Sequence, residues 1–303
     1  MVLENTKYIW SCLKALLDKT GFFEIALKQY VTVIHKGRIK IMYGKQINPL
    51  VSVIIPAYNS EETIEAAIYS AVIQGIDVEL VIINDASLDH TADIIQNCQE
   101  KYDSDHIKWN IIDSRENLGA AASRNLGVKL ACAPYVAFLD SDDWWTEEKL
   151  KKQLALLNRT GGVLCSTARE FATHQGELTG KIVPVKPIIT YRSLLYDNSI
   201  NCSSVLMRTE IAREFPMLHD ELHEDYITWL KILKKYKKAY AINEPLLKYR
   251  CSKGGKSSNK LKSAWMHYQS LRYVGIHPLS AFWYFLFYMV SGILKYSKVS
   301  RKG

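Results

Sequence analysis

Tyr135-Val136-Ala137-Phe138-Leu139-Asp140-Ser141-Asp142-Asp143 is a short apolar run that ends in closely spaced carboxylates. The first five residues suit a buried strand. The acids that follow repel one another unless a cation, protons or solvent compensates them. Mg²⁺ or Mn²⁺ would do so: both prefer oxygen ligands, and Mg²⁺ is commonly held by one or two carboxylates together with substrate phosphates. The alternative is a polar turn whose acids cap the next helix.

Upstream, the same alternation of apolar strand and amphipathic helix recurs. Val51-Ser52-Val53-Ile54-Ile55, ended by Pro56, reads as a buried strand. A helix follows with Ser60 as its cap, Glu61 and Glu62 at its positive end, and Ile64, Ala67, Ile68 and Ala71 on one face. Next come a strand at Leu80–Ile83, a helix over 91–101, a strand at Ile107–Ile112 and a helix over 119–131. Such alternation predicts a parallel, doubly wound sheet, whose ligands bind at the carboxyl ends of the strands. The polar clusters fall there: Pro56-Ala57-Tyr58-Asn59, Asn84-Asp85-Ala86-Ser87-Leu88-Asp89, Asn117-Leu118-Gly119 leading to Ser123-Arg124-Asn125, and the acidic stretch itself.

After a helix expected from Thr146 to about Asn158, the pattern loosens. Strands at Val163–Thr167 and Ser203–Met207 are separated by longer polar connections, as in a half with mixed pairing. His223-Glu224-Asp225-Tyr226-Ile227-Thr228-Trp229-Leu230 opens another helix. Taken alone, Glu224 and Asp225 suit a helix's positive end. The stretch from Tyr249 to Ser258 is either a flexible basic loop or a cover for phosphates through Arg250, Lys253 and Lys256.

These motifs, in this order, resemble the family 2 glycosyltransferases with the GT-A fold, over about residues 50–250. The opening motif reads Val53 to Asn59, the usual D-D-G-S-x-D reads Asn84 to Asp89, N-x-G-x-x-x-x-R-N reads Asn117 to Asn125, and the metal motif reads Asp140-Ser141-Asp142. Asn84 and Ala86 depart from the commonest residues, and Ser252 stands where a His is usual. The resemblance implies an α/β, Rossmann-like fold with a mostly parallel central sheet. It implies that Pro56, Ala57, Tyr58, Asn59, Asp85, Asn117, Gly119, Arg124, Asp140, Ser141, Arg250 and Lys253 lie around a nucleotide sugar. It further implies that Asp142, with Asp140, holds Mg²⁺ or Mn²⁺, that Asp225 is the catalytic base, and that Glu224 assists with the acceptor. For Arg124 the plain alternative is a salt bridge.

The remaining features set the context. In 303 residues the net charge is +8, which favours anionic partners without choosing among nucleotide phosphates, anionic lipid and nucleic acid. Six scattered cysteines without a C-x-x-C pair read as reduced thiols. Residues 1–48 read as a helical extension from the spacing of Ile9, Leu13, Leu16, Leu17, Phe22, Phe23, Ile25, Ala26 and Tyr30, ahead of a GT-A domain over 49–250 that divides at about 145/146 into donor and acceptor halves. Residues 251–303 read as a basic loop and helical tail, where the apolar, aromatic run 279–294 is either an interfacial helix or a buried terminal one.

The expected activity is metal-dependent, inverting transfer from a nucleotide-diphospho-sugar, UDP-sugars first, to a glycan or lipid-linked glycan in surface polysaccharide assembly. The expected location is the cytoplasmic side, peripheral on the membrane through the tail, and nucleic acid is not an expected partner. The rivals are a nucleotidyltransferase, which would show a Gly-rich phosphate loop after the first strand, and an inactive scaffold with the same fold.

Overall fold

The computed structural model describes residues 30–35, 38–43, 47–251 and 260–296 and divides into two units, Met1–Gln46 and Ile47–Gly303. In the first unit β1 (Tyr30–His35) and β2 (Arg38–Tyr43) pair antiparallel, with His35 opposite Arg38. This part of the extension is strand rather than the expected helix. Val31 and Val33, and Ile39 and Ile41, are β-branched with a period of two, which favours a pleated strand. The helical spacing from Ile9 to Ala26 lies outside the described residues.

The second unit is built on a ten-stranded mixed sheet. Its centre is β3 (Val51–Ala57), flanked on one side by β4 (Val78–Asn84) and β5 (Ile107–Asp113), all parallel. On the other side β3 pairs in parallel with β6 (Tyr135–Phe138). β3 and β4 are apolar on both faces and almost wholly buried, because helices cover both sides. These helices are α1 (Ile64–Val72), α2 (Thr91–Tyr102) and α3 (Ala120–Leu130).

Strand order reverses at β3, so the ends of β3 and β6 open a switch-point crevice. α3 lies hard on the sheet: a Cβ at Gly127 would stand 2.4 Å from Cγ2 of Ile54. Arg124, one turn earlier on the same face, is thereby set over the crevice.

Two helix starts differ from expectation. α1 begins at Ile64 because the Ser60 carbonyl first closes a turn, accepting the Thr63 and Ile64 amides at 3.0 and 2.9 Å. The Ser60 hydroxyl caps nothing: it donates to the Tyr58 carbonyl and meets the Ser141 hydroxyl at 2.7 Å. Trp144–Trp145 form a short strand, β7, and the Thr146 amide donates to Leu246, so α4 (Lys149–Thr160) starts three residues later than Thr146.

The second half adds β8 (Leu164–Ala172), β9 (Leu178–Val183), β10 (Ile188–Thr190), α5 (Tyr191–Tyr196), β11 (Leu206–Arg208) and α6 (Thr209–Glu214). It continues with α7 (Glu224–Tyr236), β12 (Lys238–Arg250), α8 (Lys260–Tyr273) and α9 (Pro278–Tyr296). Ser203 lies in a 3-10 turn, Cys202–Ser204, and the strand expected from Ser203 begins only at Leu206.

β11 runs antiparallel between β6 and β8, while β12 joins β8 in parallel, giving the mixed pairing expected of this half. α7 anchors the arrangement. Trp229 and Tyr226 are fully buried, with the Trp229 ring 6.3 Å from that of Phe138. α8 and α9 pack onto the same core through Leu271 and Ala281. Among the described residues no helix is long and apolar enough to cross a membrane.

Candidate active site

The crevice is an open cavity of about 820 Å³. Its wall includes Pro56, Ala57, Tyr58 and Asn59 after β3, Asp85 after β4, Asn117, Gly119 and Arg124 at the start of α3, Asp140, Ser141 and Asp142 after β6, and Arg250 at the end of β12. Every described residue that the sequence reading placed around the nucleotide sugar lies on this one surface. Lys253, with Ser252 and Lys256, lies outside the described residues. Glu224 and Asp225 are not in the cavity wall; Glu224 reaches it through Arg124.

Several side chains spend their hydrogen bonds on holding loops together. The Asp85 carboxylate accepts the Leu118 and Gly119 amides at 2.8 and 2.9 Å. Gly119 has φ 84°, which a side chain would resist, and a Cβ there would stand 2.7 Å from Oδ2 of Asp220. Asn59 accepts the Leu88 amide, and its own amide donates to the Ser87 hydroxyl. Ala86 is held at φ 58°, a region that costs a non-glycine residue roughly 1 kcal/mol. Its place is that of the glycine in the resembled D-D-G-S motif.

Arg124 is the hinge of the site. It is buried, with Nη2 donating to Oδ1 of Asp140 at 2.5 Å and Nη1 to Oε1 of Glu224 at 2.8 Å. Burial disfavours its charge, but Asp140 and Glu224 outweigh that effect and hold it protonated. Arg124 thus lines the cavity, and its fork makes a salt bridge that ties the acidic turn to α7.

Arg250 is similarly engaged. Its Nε donates to the Asp142 carbonyl and its Nη1 to the His174 carbonyl, each at 2.8 Å, and its amide donates to Asp143. Arg250 therefore clamps the acidic turn to the β8–β9 connection.

In the acidic turn, Asp143 is buried with Oδ1 on the Arg250 amide and Oδ2 without a hydrogen-bond partner. Burial, then the charges of Asp142 and Asp140, push its carboxyl well above the usual range. An orphaned buried carboxylate oxygen beside two further carboxylates fits a divalent cation. Among the described residues no three His, Cys, Asp or Glu side chains form a ready-made metal site. A cation held here would therefore draw further oxygens from its substrate or from water.

Asp225, the second residue of α7, accepts the Tyr226 amide at 2.7 Å. Burial and then the neighbouring Glu224 push its carboxyl up to about 6, while His223 and Arg124 pull the other way. A carboxylate poised near neutrality can take a proton from a weakly acidic hydroxyl.

A known family covers this same frame. The family model described as glycosyl transferase family 2 matches residues 52–213. This chain belongs to glycosyl transferase family 2.

A putative teichuronic acid biosynthesis glycosyltransferase of Bacillus subtilis is 35% identical over 82% of the chain and 97% of its own length. An Escherichia coli UDP-Glc:alpha-D-GlcNAc-diphosphoundecaprenol beta-1,3-glucosyltransferase is 34% identical over 82% of this glycosyltransferase and 95% of its own length. Among solved structures, Staphylococcus aureus TarS 1–349 in complex with UDP-GlcNAc superposes with a TM-score of 0.63 at 20% identity, covering 80% of this chain and 74% of that one. The fold is thus the GT-A type, and the nucleotidyltransferase alternative falls away.

The sequence reading missed His174, Ser60 and Asp89 in the cavity wall, and Asp220 beneath Gly119. Asp89 was visible as the last residue of its motif. His174 had no signal, because it reaches the cavity from a β-turn that only the sheet topology brings near.

Proposed function

We propose that this glycosyltransferase moves a sugar from a UDP-sugar to a hydroxyl of a lipid-linked glycan in surface polysaccharide synthesis, with inversion at the anomeric carbon. The observation that carries the reading is the Asp140–Arg124–Glu224 chain of charge-assisted bonds. It links an acidic turn suited to a cation to the first turn of α7, where Asp225, a carboxyl poised near pH 6, follows Glu224.

In this reading the backbone of Pro56–Tyr58 and the loop organised by Asp85 receive the base and ribose. Asp142, with Asp140, would hold Mg²⁺ or Mn²⁺, which supplies charge neutralisation on the departing nucleoside diphosphate. Asp225 takes the proton of the acceptor hydroxyl as that oxygen attacks. Displacement in one step inverts the centre and needs no covalent enzyme intermediate. Glu224, already committed to Arg124, keeps the base's helix in register with the donor loops. The test is a screen of UDP-sugars with Mg²⁺ or Mn²⁺ for release of UDP, alone and with a sugar-diphosphate lipid; metal-dependent release supports the reading, and none with any donor refutes it.

The tail suits a lipid acceptor. On α9, Leu279, Phe282, Trp283, Leu286 and Val290 are exposed at helical spacing, with Leu279 76% and Val290 58% exposed at the ends. The other face is engaged: Tyr284 meets Tyr196 with ring centroids 4.9 Å apart. Lys295, Lys298, Arg301 and Lys302 follow in the sequence. This pattern suits peripheral seating on an anionic, cytoplasm-facing membrane leaflet. Leu279→Asp with Trp283→Asp should lower co-sedimentation with vesicles containing anionic lipid at least about tenfold. Undiminished co-sedimentation of a folded double variant would reject the anchor.

A further inference from the structure

We infer that His223 is a positioning residue for Asp225, and that α8 is the element that positions it. This rests on the reading of Asp225 as the base.

His223 is the N-cap of α7, immediately before Glu224 and Asp225, and its own side chain caps nothing. It is instead tied to α8 at two points. Its Nε2–H donates to the Ser263 carbonyl at 2.9 Å, and its backbone amide donates to the Ser270 hydroxyl at 3.3 Å. The Ser270 hydroxyl is itself oriented, since it donates to the Met266 carbonyl at 2.8 Å. Ser263, His267 and Ser270 are all buried and share one face of α8 at spacings of four and three residues.

His267, between the two ties, fills the gap without any charge. Burial, and then His223 beside it, push its imidazole down to about 3. Neither ring nitrogen has a hydrogen-bond partner, and the ring stands 3.9 Å from Tyr288 of α9 and 4.7 Å from Tyr226 of α7. An uncharged aromatic plate thus joins α9, α8 and the first turn of α7. The first turn of α7 is where the acids sit, so α8 and α9 brace the backbone that carries them.

The groups that act electrostatically on the Asp225 carboxylate include Glu224, Arg124 and His223. Cys202, which feels Asp225, Glu224 and Arg124 alike, is a buried thiol whose burial pushes it well above its ordinary range, and so it carries no charge. His223 is the one of these groups that α8 holds directly. Fixing the Nε2–H on a main-chain carbonyl orients the ring, and the two ties fix the entry of the chain into α7. A side chain that donates a hydrogen bond at this position should preserve most of the effect, and a methyl group should not.

The test is steady-state transfer by the full chain and by H223A, H223Q and S270A, with donor binding measured separately by calorimetry. H223A should lower kcat at least about tenfold, with donor Kd within about twofold of wild type, as expected for loss of a group that orients another. The acid limb of its kcat–pH profile should move to higher pH, because a group that pulls the Asp225 pKa down has been removed. H223Q should recover most of kcat, and S270A should lose a few-fold. Wild-type kcat and pH profile in H223A, or equal slowing of H223A and H223Q, would overturn the positioning role. Loss of donor affinity matching the loss of kcat/KM would also overturn it, since that marks general disturbance of the fold. If D225N transfers as well as the wild-type chain, the reading of Asp225 as base fails; if H223A alone does, the positioning role alone fails.

Discussion

Asp225→Asn should reduce transfer by roughly 10²–10⁴-fold while leaving donor affinity nearly unchanged. Asparagine keeps the shape and can still accept the Tyr226 amide, but it cannot take a proton. The cavity that would hold the donor does not include Asp225, so calorimetric titration with the donor should give a wild-type Kd. Because the Asp225 carboxyl is raised to about 6, wild-type kcat should climb with pH through that value as the base ionises. Loss of donor binding in the variant, or a flat profile between pH 5 and 7, would remove Asp225 from the role.

The same shift has a sign for stability. A carboxyl with a folded pKa above its unfolded value favours folding below the unfolded pKa, and that contribution disappears as pH rises through the folded pKa. Removing that carboxyl removes the cost of ionising it inside the fold. Asp225→Asn should therefore raise Tm by several degrees at pH 8 and by little at pH 4. An activity loss joined to a stability gain is expected where a strained charge is kept for chemistry.

Asp142→Ala is the second large effect. The clamp on this turn uses the Asp142 carbonyl, so the variant should keep its fold. Its carboxylate is lost, and with it much of the charge that would attract a divalent cation to the turn. Transfer should fall roughly 10²-fold or more without rescue by excess Mn²⁺, and donor affinity should no longer respond to Mn²⁺. Removing a carboxylate should also bring the Asp143 carboxyl down, since the Asp142 charge is part of what raises it. Wild-type turnover in saturating Mg²⁺ or Mn²⁺ would take Asp142 out of the metal site.

What could be read from the chain follows a physical division. Strand ends and the loops after them are local, so Pro56–Asn59, Asp85, Asn117–Arg124 and Asp140–Asp142 could be assigned to one edge of a parallel sheet before any coordinates. Partners far apart in sequence could not. Arg124 and Glu224 are 100 residues apart, and only the packing of α3 and α7 against the same sheet brings them into contact. Arg250 reads as a phosphate cover in a Gly-containing loop, yet its donors end on main-chain carbonyls because β12 delivers it beside the acidic turn. The helical spacing read from Ile9 to Tyr30 does not carry on to residue 48, because the β-branched residues between 31 and 41 repeat every two. The aromatic run at 279–294 could be recognised as amphipathic. Which face lies open was decided by Tyr284 and Tyr288 docking on α5 and α8.

The most direct measurement is the anomeric configuration of the first product formed from an α-linked UDP-sugar and a sugar-diphosphate lipid, followed by NMR with and without a metal chelator. The account predicts a β-linked glycan with one UDP released per linkage, and no product in the chelator. An α-linked product, or undiminished transfer in the chelator, would contradict it.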